Sequence, residues 1–341
     1  MAPSIALQAW FERTARDLPW RRTSDPYAIW ISEIMLQQTQ VKTVIPYFDR
    51  WMAALPTIQK FAAARPEKVL KLWEGLGYYS RVRNAQSAAR QIMAEHSGQF
   101  PRRYEDILAL PGIGRYTAGA ISSIAFNQRT PVLDGNVIRV LTRLRGIGGD
   151  PRGKEVNAKL WETALALVSV PEIEPAKLNQ ALMELGALIC LPRQPRCAEC
   201  PAHQNCFARR ENRTADFPAL APRKAATERR FIALVVREGN RFLVRRRPIG
   251  KVNAGLWEFP NIEIPVGTKN PARLAAPFEM AAKRPFFVVR HTITRYRILL
   301  EAFDAQTPAN VQLDGIWKTV RQMDSLAFTS AHRKLLNAVR G

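Results

Sequence analysis

The chain has little cysteine, few acidic residues and no long apolar run. Its 341 residues include four cysteines, all between residues 190 and 206, which argues against a disulfide framework. No stretch matches the roughly 20 apolar residues of a membrane span, and there is no strong internal repeat. The N-terminal segment is amphipathic and contains acidic residues near its start. We therefore expect it to form a helix packed on the protein and not a targeting peptide. We therefore expect a soluble, cytoplasmic protein with no membrane partner.

The chain contains many more positively charged residues than negatively charged ones. The 51 lysines and arginines outnumber the 29 acidic residues and give a formal net charge of +22, spread over the whole length. This distribution favours a nucleic-acid-binding enzyme over a basic tail on a neutral body. Ribosomal and membrane-surface proteins share the balance, so composition alone leaves those classes open.

The apolar pattern divides the chain into two parts, as its length also predicts. Residues 1–215 show helical spacing almost throughout, for example near residues 27–39 and in a leucine stripe at residues 178–188. A polar, basic, proline-containing linker is predicted at 216–229. The pattern of residues 230–341 predicts strands, a hairpin with its turn at Gly239 and Asn240, and a helix near 329–339. The predicted fold is an all-α N-terminal region followed by an α+β domain.

A glycine-containing turn at residues 110–115 has the features of a phosphate site. Pro111 ends one predicted helix, and the next begins at about Arg115 with its free N–H groups pointing into the turn. Gly112 and Gly114 permit unusual backbone angles and close approach of a ligand. On so basic a chain, we expect Gly112, Gly114 and Arg115 to contact a DNA phosphate. An ordinary helical corner is the alternative.

Glu33 is the first candidate for acid catalysis. Asp25 and Pro26 start its predicted helix, and its own helical face is mostly apolar. A carboxyl group on such a face must be paired or protonated, and a glutamic acid protonated near neutral pH can act as a general acid. The alternative is a glutamate at a helix edge in solvent.

Asp134 is the second candidate carboxylate. The run from Pro131 to Asn136 breaks one helix and starts another, so Asp134 can cap the helix that begins near Asn136. Held ionised by amide donors, it could also face a developing positive charge. Both roles are compatible.

Tyr78 lies in a glycine-flanked turn, Gly75 to Tyr79, directly before the basic run SRVRN. An aromatic residue in this setting suits stacking on or insertion between bases. A tyrosine pair packed in a core corner is an equally common use of such residues.

The cysteines Cys190, Cys197, Cys200 and Cys206 have the spacing C-x6-C-x2-C-x5-C. Four thiolates can hold zinc or a [4Fe–4S] cluster, and the spacing matches neither common ferredoxin pattern, so the chemistry alone leaves the choice open. Arg193 and Arg196 lie within this loop, which could present their charge to DNA.

With these motifs together, residues 1–215 resemble the helix–hairpin–helix DNA glycosylases of the endonuclease III superfamily, and within it the adenine DNA glycosylases. The resemblance is carried by LPWR at 18–21, SEIMLQQTQV at 32–41, WEGLGYYSRVRN at 73–84, LPGIGRYTAGA at 110–120, LDGNV at 133–137 and the cysteine loop at 190–206. It implies a six-helix module with an iron–sulfur module. It also implies base-excision repair in which a flipped adenine loses its glycosidic bond.

The resemblance assigns roles to individual residues. It makes Glu33 the acid that protonates adenine and Asp134 the stabiliser of the oxocarbenium-like sugar, a two-carboxylate arrangement used for glycosidic bonds generally. Tyr116 occupies the position of the Schiff-base lysine of bifunctional relatives, which predicts a monofunctional enzyme. The remaining implied assignments are Tyr116 and Asn136 as supporting catalytic residues, Trp20, Arg21 and Leu36 in the adenine pocket, Gln38 and Tyr78 as duplex probes, and Cys190, Cys197, Cys200 and Cys206 as ligands of a [4Fe–4S] cluster.

Residues 230–341 resemble the Nudix-like domain with which adenine glycosylases read 8-oxoguanine opposite the adenine. GLWEFP at 255–260 and VRHTITRYRI at 289–298 carry this match. The glutamate run of a Nudix hydrolase is missing, so we do not expect a pyrophosphatase. The family's Phe-Ser-His loop appears as Ile293, Thr294 and Arg295, with Thr294 able to keep the serine's hydroxyl contact. The expected partner of this monomer is duplex DNA containing adenine opposite 8-oxoguanine or guanine.

Two other readings lead to different functions. The first is a sibling enzyme, either a bifunctional pyrimidine-lesion endonuclease or a mismatch thymine glycosylase; Tyr116 and the second domain argue against the former. The second is a non-catalytic DNA-binding or redox-sensing cluster protein, in which Glu33 and Asp134 are merely structural.

Overall fold

The computed structural model describes residues 3–222, 225–293, 295–307 and 314–340. They form two compact units, which we call the helical unit, residues 1–63 and 84–222, and the sheet unit, residues 64–83 and 223–341. The division after residue 222 falls within the predicted linker. Unlike the predicted division, however, it groups residues 64–83 with the C-terminal part of the chain.

Helices dominate the first two thirds of the chain, as predicted. Those described are α1 Pro3–Thr14, α2 Pro26–Leu36, α3 Val41–Ala54, α4 Ile58–Ala63, α5 Pro66–Leu72, α6 Ser80–Glu95, α7 Tyr104–Leu108, α8 Arg115–Phe126, α9 Gly135–Arg145, α10 Lys154–Val168, α11 Pro175–Leu188, α12 Phe207–Arg210, α13 Val320–Asp324 and α14 Ser330–Ala338. Within the described residues, no helix has the length and apolar content that a membrane span requires.

Helix α11 is central to the helical unit, where it packs on α1, α8 and α9. Leu178, Leu182 and Leu185 of the predicted stripe are buried in this core, and Leu188 packs at its margin. The helix lays this stripe against its neighbours because residues three and four apart share one face. This packing brings α8, α9 and α11 together around the site described below.

A helix–hairpin–helix is formed by α7, the turn after it and α8. Gly112 has φ +76°, a left-handed conformation that favours glycine, and a Cβ there would come within 2.6 Å of Cβ of Asn84. Gly114 is the N-cap of α8, which begins at Arg115. The predicted turn and helix start are therefore confirmed.

The sheet unit contains strands β1 Thr227–Glu238, β2 Arg241–Arg246, β3 Trp257–Glu258, β4 Asn261–Ile264, β5 Glu279–Met280, β6 Phe287–Ile293, β7 Tyr296–Gln306 and β8 Ile316–Thr319. Their order is β3-β2-β1-β7-β5, with β4 on β1, β6 on β7 and β8 on β2. β1 and β7 run parallel, and the other pairs are antiparallel. The predicted hairpin at Gly239 and Asn240 joins β1 to β2, and the predicted terminal helix is α14, which packs on β6.

Candidate active site

A cavity of about 580 Å³ opens among α2, α8, the start of α9 and α11. It brings together many of the predicted site residues, which come from widely separated parts of the sequence. The predicted residues in its lining are Trp20, Arg21, Glu33, Leu36, Gln38, Gly114, Tyr116, Asp134 and Asn136. The volume lies within the range of small-molecule sites, about 300–1,000 Å³.

Three of the predicted DNA-binding residues, Gly112, Arg115 and Tyr78, lie outside this lining. Gly112 and Arg115 belong to the hairpin but do not line the cavity, and the Arg115 guanidinium instead stacks 4.1 Å above the Trp161 ring. Tyr78 belongs to the sheet unit. Thr294 lies outside the described residues.

Glu33 is buried, with 5% of its surface exposed, because α2 is covered on every side from Tyr27 to Met35. The helix starts as predicted, with Asp25 accepting a hydrogen bond from the backbone N–H of Tyr27. Burial raises the pKa of the Glu33 carboxyl group to about 7, more than a hydrogen bond from Tyr116 lowers it. The alternative of a solvent-exposed helix edge is therefore wrong.

Tyr116 lies in the first turn of α8 and donates its hydroxyl proton to Oε2 of Glu33 over 2.6 Å. Its oxygen is also 3.3 Å from Sδ of Met183. Burial first, and then the nearby carboxyl groups of Glu33 and Asp134, raise the pKa of Tyr116 well above its usual value. The phenol thus stays protonated and acts as a hydrogen-bond donor.

Asp134 is the N-cap of α9, which confirms the predicted cap. Its Oδ1 accepts from the backbone N–H of Val137 at 2.7 Å, and its Oδ2 accepts from Nδ2 of Asn136 at 3.1 Å. Burial raises the pKa of Asp134, and these amide donors oppose that rise. The amide donors therefore favour the expected ionised carboxylate, whereas burial opposes its ionisation.

Arg139 extends this set of contacts toward the cysteine loop. Its guanidinium donates to Oδ1 of Asn136 at 2.9 Å, to the carbonyl oxygen of Gly186 at 2.8 Å and to that of Cys190 at 2.7 Å. A Cβ on Gly186 would come within 2.5 Å of Cβ of Asn136. The glycine therefore allows α11 to lie directly against the start of α9.

Glu184 is a cavity residue that the sequence analysis missed. It is 1% exposed on α11 and forms paired hydrogen bonds with Arg16, at 2.8 and 2.6 Å, and with Arg21, at 3.1 and 2.9 Å. Burial alone would raise the pKa of Glu184, but the two guanidinium groups lower it to about 2. The available signal was a single carboxylate within the apolar run ALMELGAL.

Two predicted duplex probes share an unusual backbone. Gln38, just beyond the C-terminus of α2, has φ +58°, and Tyr78 has φ +46°. Both side chains are exposed, Tyr78 by 37%. Left-handed conformations cost non-glycine residues about 1–3 kcal/mol and cluster at ligand-binding sites. Helix α2 ends at Leu36, before the predicted residue 39, because the chain turns here.

The four cysteines are free thiols that line one small cavity together with Arg143. Arg143 donates to Sγ of Cys190 at 3.4 Å and to the carbonyl oxygen of Leu191 at 2.6 Å. Burial raises the pKa of Cys200 to about 11. Among the described residues, no three cysteine, histidine or acidic side chains form a group that could hold a metal ion.

Two arginines of the cysteine loop differ in their surroundings. Arg193 is exposed. Arg196 is also exposed, but its guanidinium donates to the carbonyl oxygen of Leu188 and pairs with Glu199. Only part of the predicted positive surface is therefore free of an acidic neighbour.

A model described as HhH-GPD superfamily base excision DNA repair protein matches residues 31–164, and a NUDIX domain model matches residues 232–338. Adenine DNA glycosylase from Homo sapiens is 36% identical over 98% of this chain and 73% of its own length. Those from Rattus norvegicus and Buchnera aphidicola (Schizaphis graminum) are 37% and 38% identical over 96% and 76% of this chain, and 76% and 74% of their own lengths.

The chain belongs to the adenine DNA glycosylase family. It is thus a base-excision-repair enzyme that hydrolyses N-glycosyl bonds, which confirms the expected family and enzyme class.

Solved structures agree with the fold. A thermostable thymine-DNA glycosylase superposes with a TM-score of 0.54 at 29% identity, covering 61% of this chain and 95% of that one. An endonuclease III–DNA complex gives 0.52 at 22% identity, covering 61% and 94%, and shows the shared fold alone. The predicted combination of a helix–hairpin–helix region with a Nudix-like α+β domain is confirmed.

The raised pKa of Glu33 predicts a pH-dependent loss of stability in this adenine DNA glycosylase. An unfolded glutamate titrates near pH ~4.3, whereas the folded Glu33 titrates at about 7. Between these values the folded state holds a proton that the unfolded state has lost, so rising pH favours unfolding by up to about 4 kcal/mol. Relative to wild type, Glu33→Gln should gain stability as the pH rises from about 4.5 to 7.5.

Chemical denaturation at several pH values measures this difference. Glu184→Gln is the matched control, because the Glu184 pKa is lowered to about 2 and its titration lies below this window. The loss of unfolding free energy in Glu184→Gln, relative to wild type, should stay constant between about pH 5 and 8. A constant difference for Glu33→Gln as well would contradict the buried, protonated state of Glu33.

Proposed function

We propose that this enzyme removes adenine opposite 8-oxoguanine, and opposite guanine, from duplex DNA without cleaving the strand. The observation that carries the proposal is the convergence of a glutamic acid titrating near neutral pH and a helix-capping aspartate on one cavity. The two carboxyl groups differ in environment, as acid and charge stabiliser do in glycoside hydrolysis.

Glu33 protonates the departing adenine. A group with a pKa of about 7 is protonated in a large fraction of molecules at physiological pH and still gives up its proton readily. Tyr116 binds Oε2 of Glu33, which directs the acidic proton to Oε1. Proton transfer lets the base depart as a neutral molecule.

Asp134 stabilises the positive charge that develops on the sugar. Its carboxylate lies at the N-terminus of α9, where the backbone N–H of Val137 and the Asn136 amide favour the ionised form. Burial makes ionisation of Asp134 unfavourable, and the positive charge that develops on the bound sugar offsets this effect. Water then adds to the sugar carbon that carried the base, and the proton it releases returns to the Glu33 carboxylate.

The cavity lining supports a monofunctional reaction. A strand-cleaving lyase of this superfamily attacks the sugar with an amine. The described residues around the cavity include arginines but no lysine, and Tyr116 is held as a hydrogen-bond donor to Glu33. No nucleophilic amine is thus in reach within the described lining.

The helix–hairpin–helix supports binding of the DNA backbone. The Gly112 turn leads into the N-terminus of α8, whose free N–H groups suit a phosphate, on a chain with a net charge of +22. Gly114 and Arg115 flank the same point. One structural neighbour is an endonuclease III–DNA complex. In the sheet unit, we assign reading of the opposite base to Ile293–Arg295.

The cysteine loop suits a [4Fe–4S] cluster. Four cysteine thiols line one cavity, and four cysteine thiolates are the usual ligand set of a [4Fe–4S] cluster. The Arg143 N–H directed at Cys190 Sγ would stabilise a thiolate ligand.

The central test uses an end-labelled duplex with one adenine opposite 8-oxoguanine. After incubation with protein, half of each sample is treated with alkali. We expect cleavage only in the treated half, since a base-free site breaks under alkali. Cleavage without alkali would contradict the monofunctional proposal, and no cleavage in either half would contradict the proposed substrate.

Metal analysis and an absorbance spectrum of the purified protein test the cysteine site. We expect a coloured protein with about four iron atoms per chain, as a [4Fe–4S] cluster requires. Cys200→Ser should lose most of the iron. A colourless protein containing one zinc would overturn the assignment.

A further inference from the structure

Residues 66–83 of the sheet unit present Tyr78 on a braced turn. Nε1 of Trp73 donates to the carbonyl oxygen of Gly77 at 3.0 Å, and the N–H of Gly75 donates to the Tyr79 hydroxyl at 3.2 Å. Arg81 donates to the same Gly77 oxygen at 3.2 Å. Because these bonds fix the turn internally, its position depends on what holds the residues just before and after it.

Glu74, directly before the turn, is fixed to the C-terminal part of the sheet unit. Its Oε1 accepts from Nε of Arg333 at 2.7 Å and from the backbone N–H of Phe328 at 2.9 Å. Its Oε2 accepts from Lys71 at 2.6 Å, and Lys71 also donates to the carbonyl oxygen of Leu326 at 3.2 Å. The Glu74 and Arg333 side chains are only 14% and 21% exposed, so water screens the pair weakly.

A second attachment lies on the other side of the turn. Arg83 donates to the carbonyl oxygen of Ala254 at 2.8 Å. Ala254 precedes Trp257, whose N–H and C=O bond to Ala327 and Thr329 at 2.8 and 3.3 Å. Both ends of the Tyr78 segment are therefore bonded to the same region around residues 254–257 and 326–333.

Arg333 also belongs to a helix that contacts the strand before the predicted opposite-base residues. It lies on α14, which packs on β6, and β6 ends at Ile293, the first residue of the predicted recognition segment. One pair of side chains, Glu74 and Arg333, thus links the Tyr78 turn to the helix that packs on β6, within a single compact unit.

We propose that Glu74 and Arg333 are positioning residues that couple reading of the opposite base to placement of Tyr78. The inference rests on the proposed function, since it concerns the preference for adenine opposite 8-oxoguanine over adenine opposite guanine. DNA contacts made where β6 ends bias the position of α14, and the ion pair passes that bias to the Tyr78 turn. Such coupling is worth roughly 5- to 150-fold in typical proteins.

The test compares Arg333→Met, which removes the charge and the N–H donors, with Arg241→Met. Arg241 forms an exposed pair with Glu238 in the same unit, far along the sequence from residues 66–83, and serves as the matched control. Single-turnover rates and dissociation constants are measured on duplexes with adenine opposite 8-oxoguanine and opposite guanine. We expect Arg333→Met to reduce the preference at least about fivefold, chiefly through the 8-oxoguanine duplex, and Arg241→Met to leave it unchanged.

Glu74→Gln and the double variant establish that the two residues act together. If they do, Glu74→Gln reproduces the loss, and the double variant loses no more than either single one. Arg333→Lys, which keeps the charge, should recover part of the preference. Amide hydrogen exchange of residues 75–79 in the free protein should be faster in Arg333→Met, a readout independent of catalysis.

An unchanged preference and unchanged exchange in both Arg333→Met and Glu74→Gln would overturn the coupling. Additive losses in the double variant would also overturn it. Failure of the proposed function has a different signature, because the wild-type protein itself would then release no adenine opposite 8-oxoguanine or show no preference for it.

Discussion

Removal of the Glu33 carboxyl group from water is the constraint on which the site depends. Glu33 is buried because α2 is covered on all sides from Tyr27 to Met35. The polar side chains beside this helix have hydrogen-bond partners of their own. Tyr116 donates to Glu33, and Asp134 caps α9. The cavity is the space these helices leave, and its chemistry follows from the burial of its carboxyl groups.

Two glutamates of the same cavity show that the partner, more than burial, determines the ionisation state. Glu184 is even less exposed than Glu33, yet two guanidinium groups keep it ionised, with a pKa lowered to about 2. Glu33 has a neutral phenol as its partner, and its pKa rises to about 7. The Glu184 cluster joins residues near the N-terminus to α11 and thereby holds Arg21 at the cavity. Glu184 therefore stabilises the lining of the cavity, and Glu33 remains protonated and available for acid catalysis.

Local signals predicted much of this arrangement, because they act within a few residues. The α8 start after Gly114, the Asp134 cap and the hairpin at Gly239 each follow from a short stretch of chain. Spacing could not decide whether Glu33 was buried, since α2 has no exposed face against which to compare it. Contacts across long separations were also missed, as between Arg16 and Glu184 or between Glu74 and Arg333, because no local pattern specifies them.

The most direct measurement compares wild type and Glu33→Gln in single-turnover release of adenine opposite 8-oxoguanine, with duplex affinity measured in parallel. Glutamine keeps the size and polarity of the side chain but has no acidic proton to transfer. We expect a fall in rate of about 10²-fold or more, the usual contribution of a general acid, with duplex affinity nearly unchanged. Release at the wild-type rate, or loss of rate only in proportion to lost affinity, would contradict this expectation.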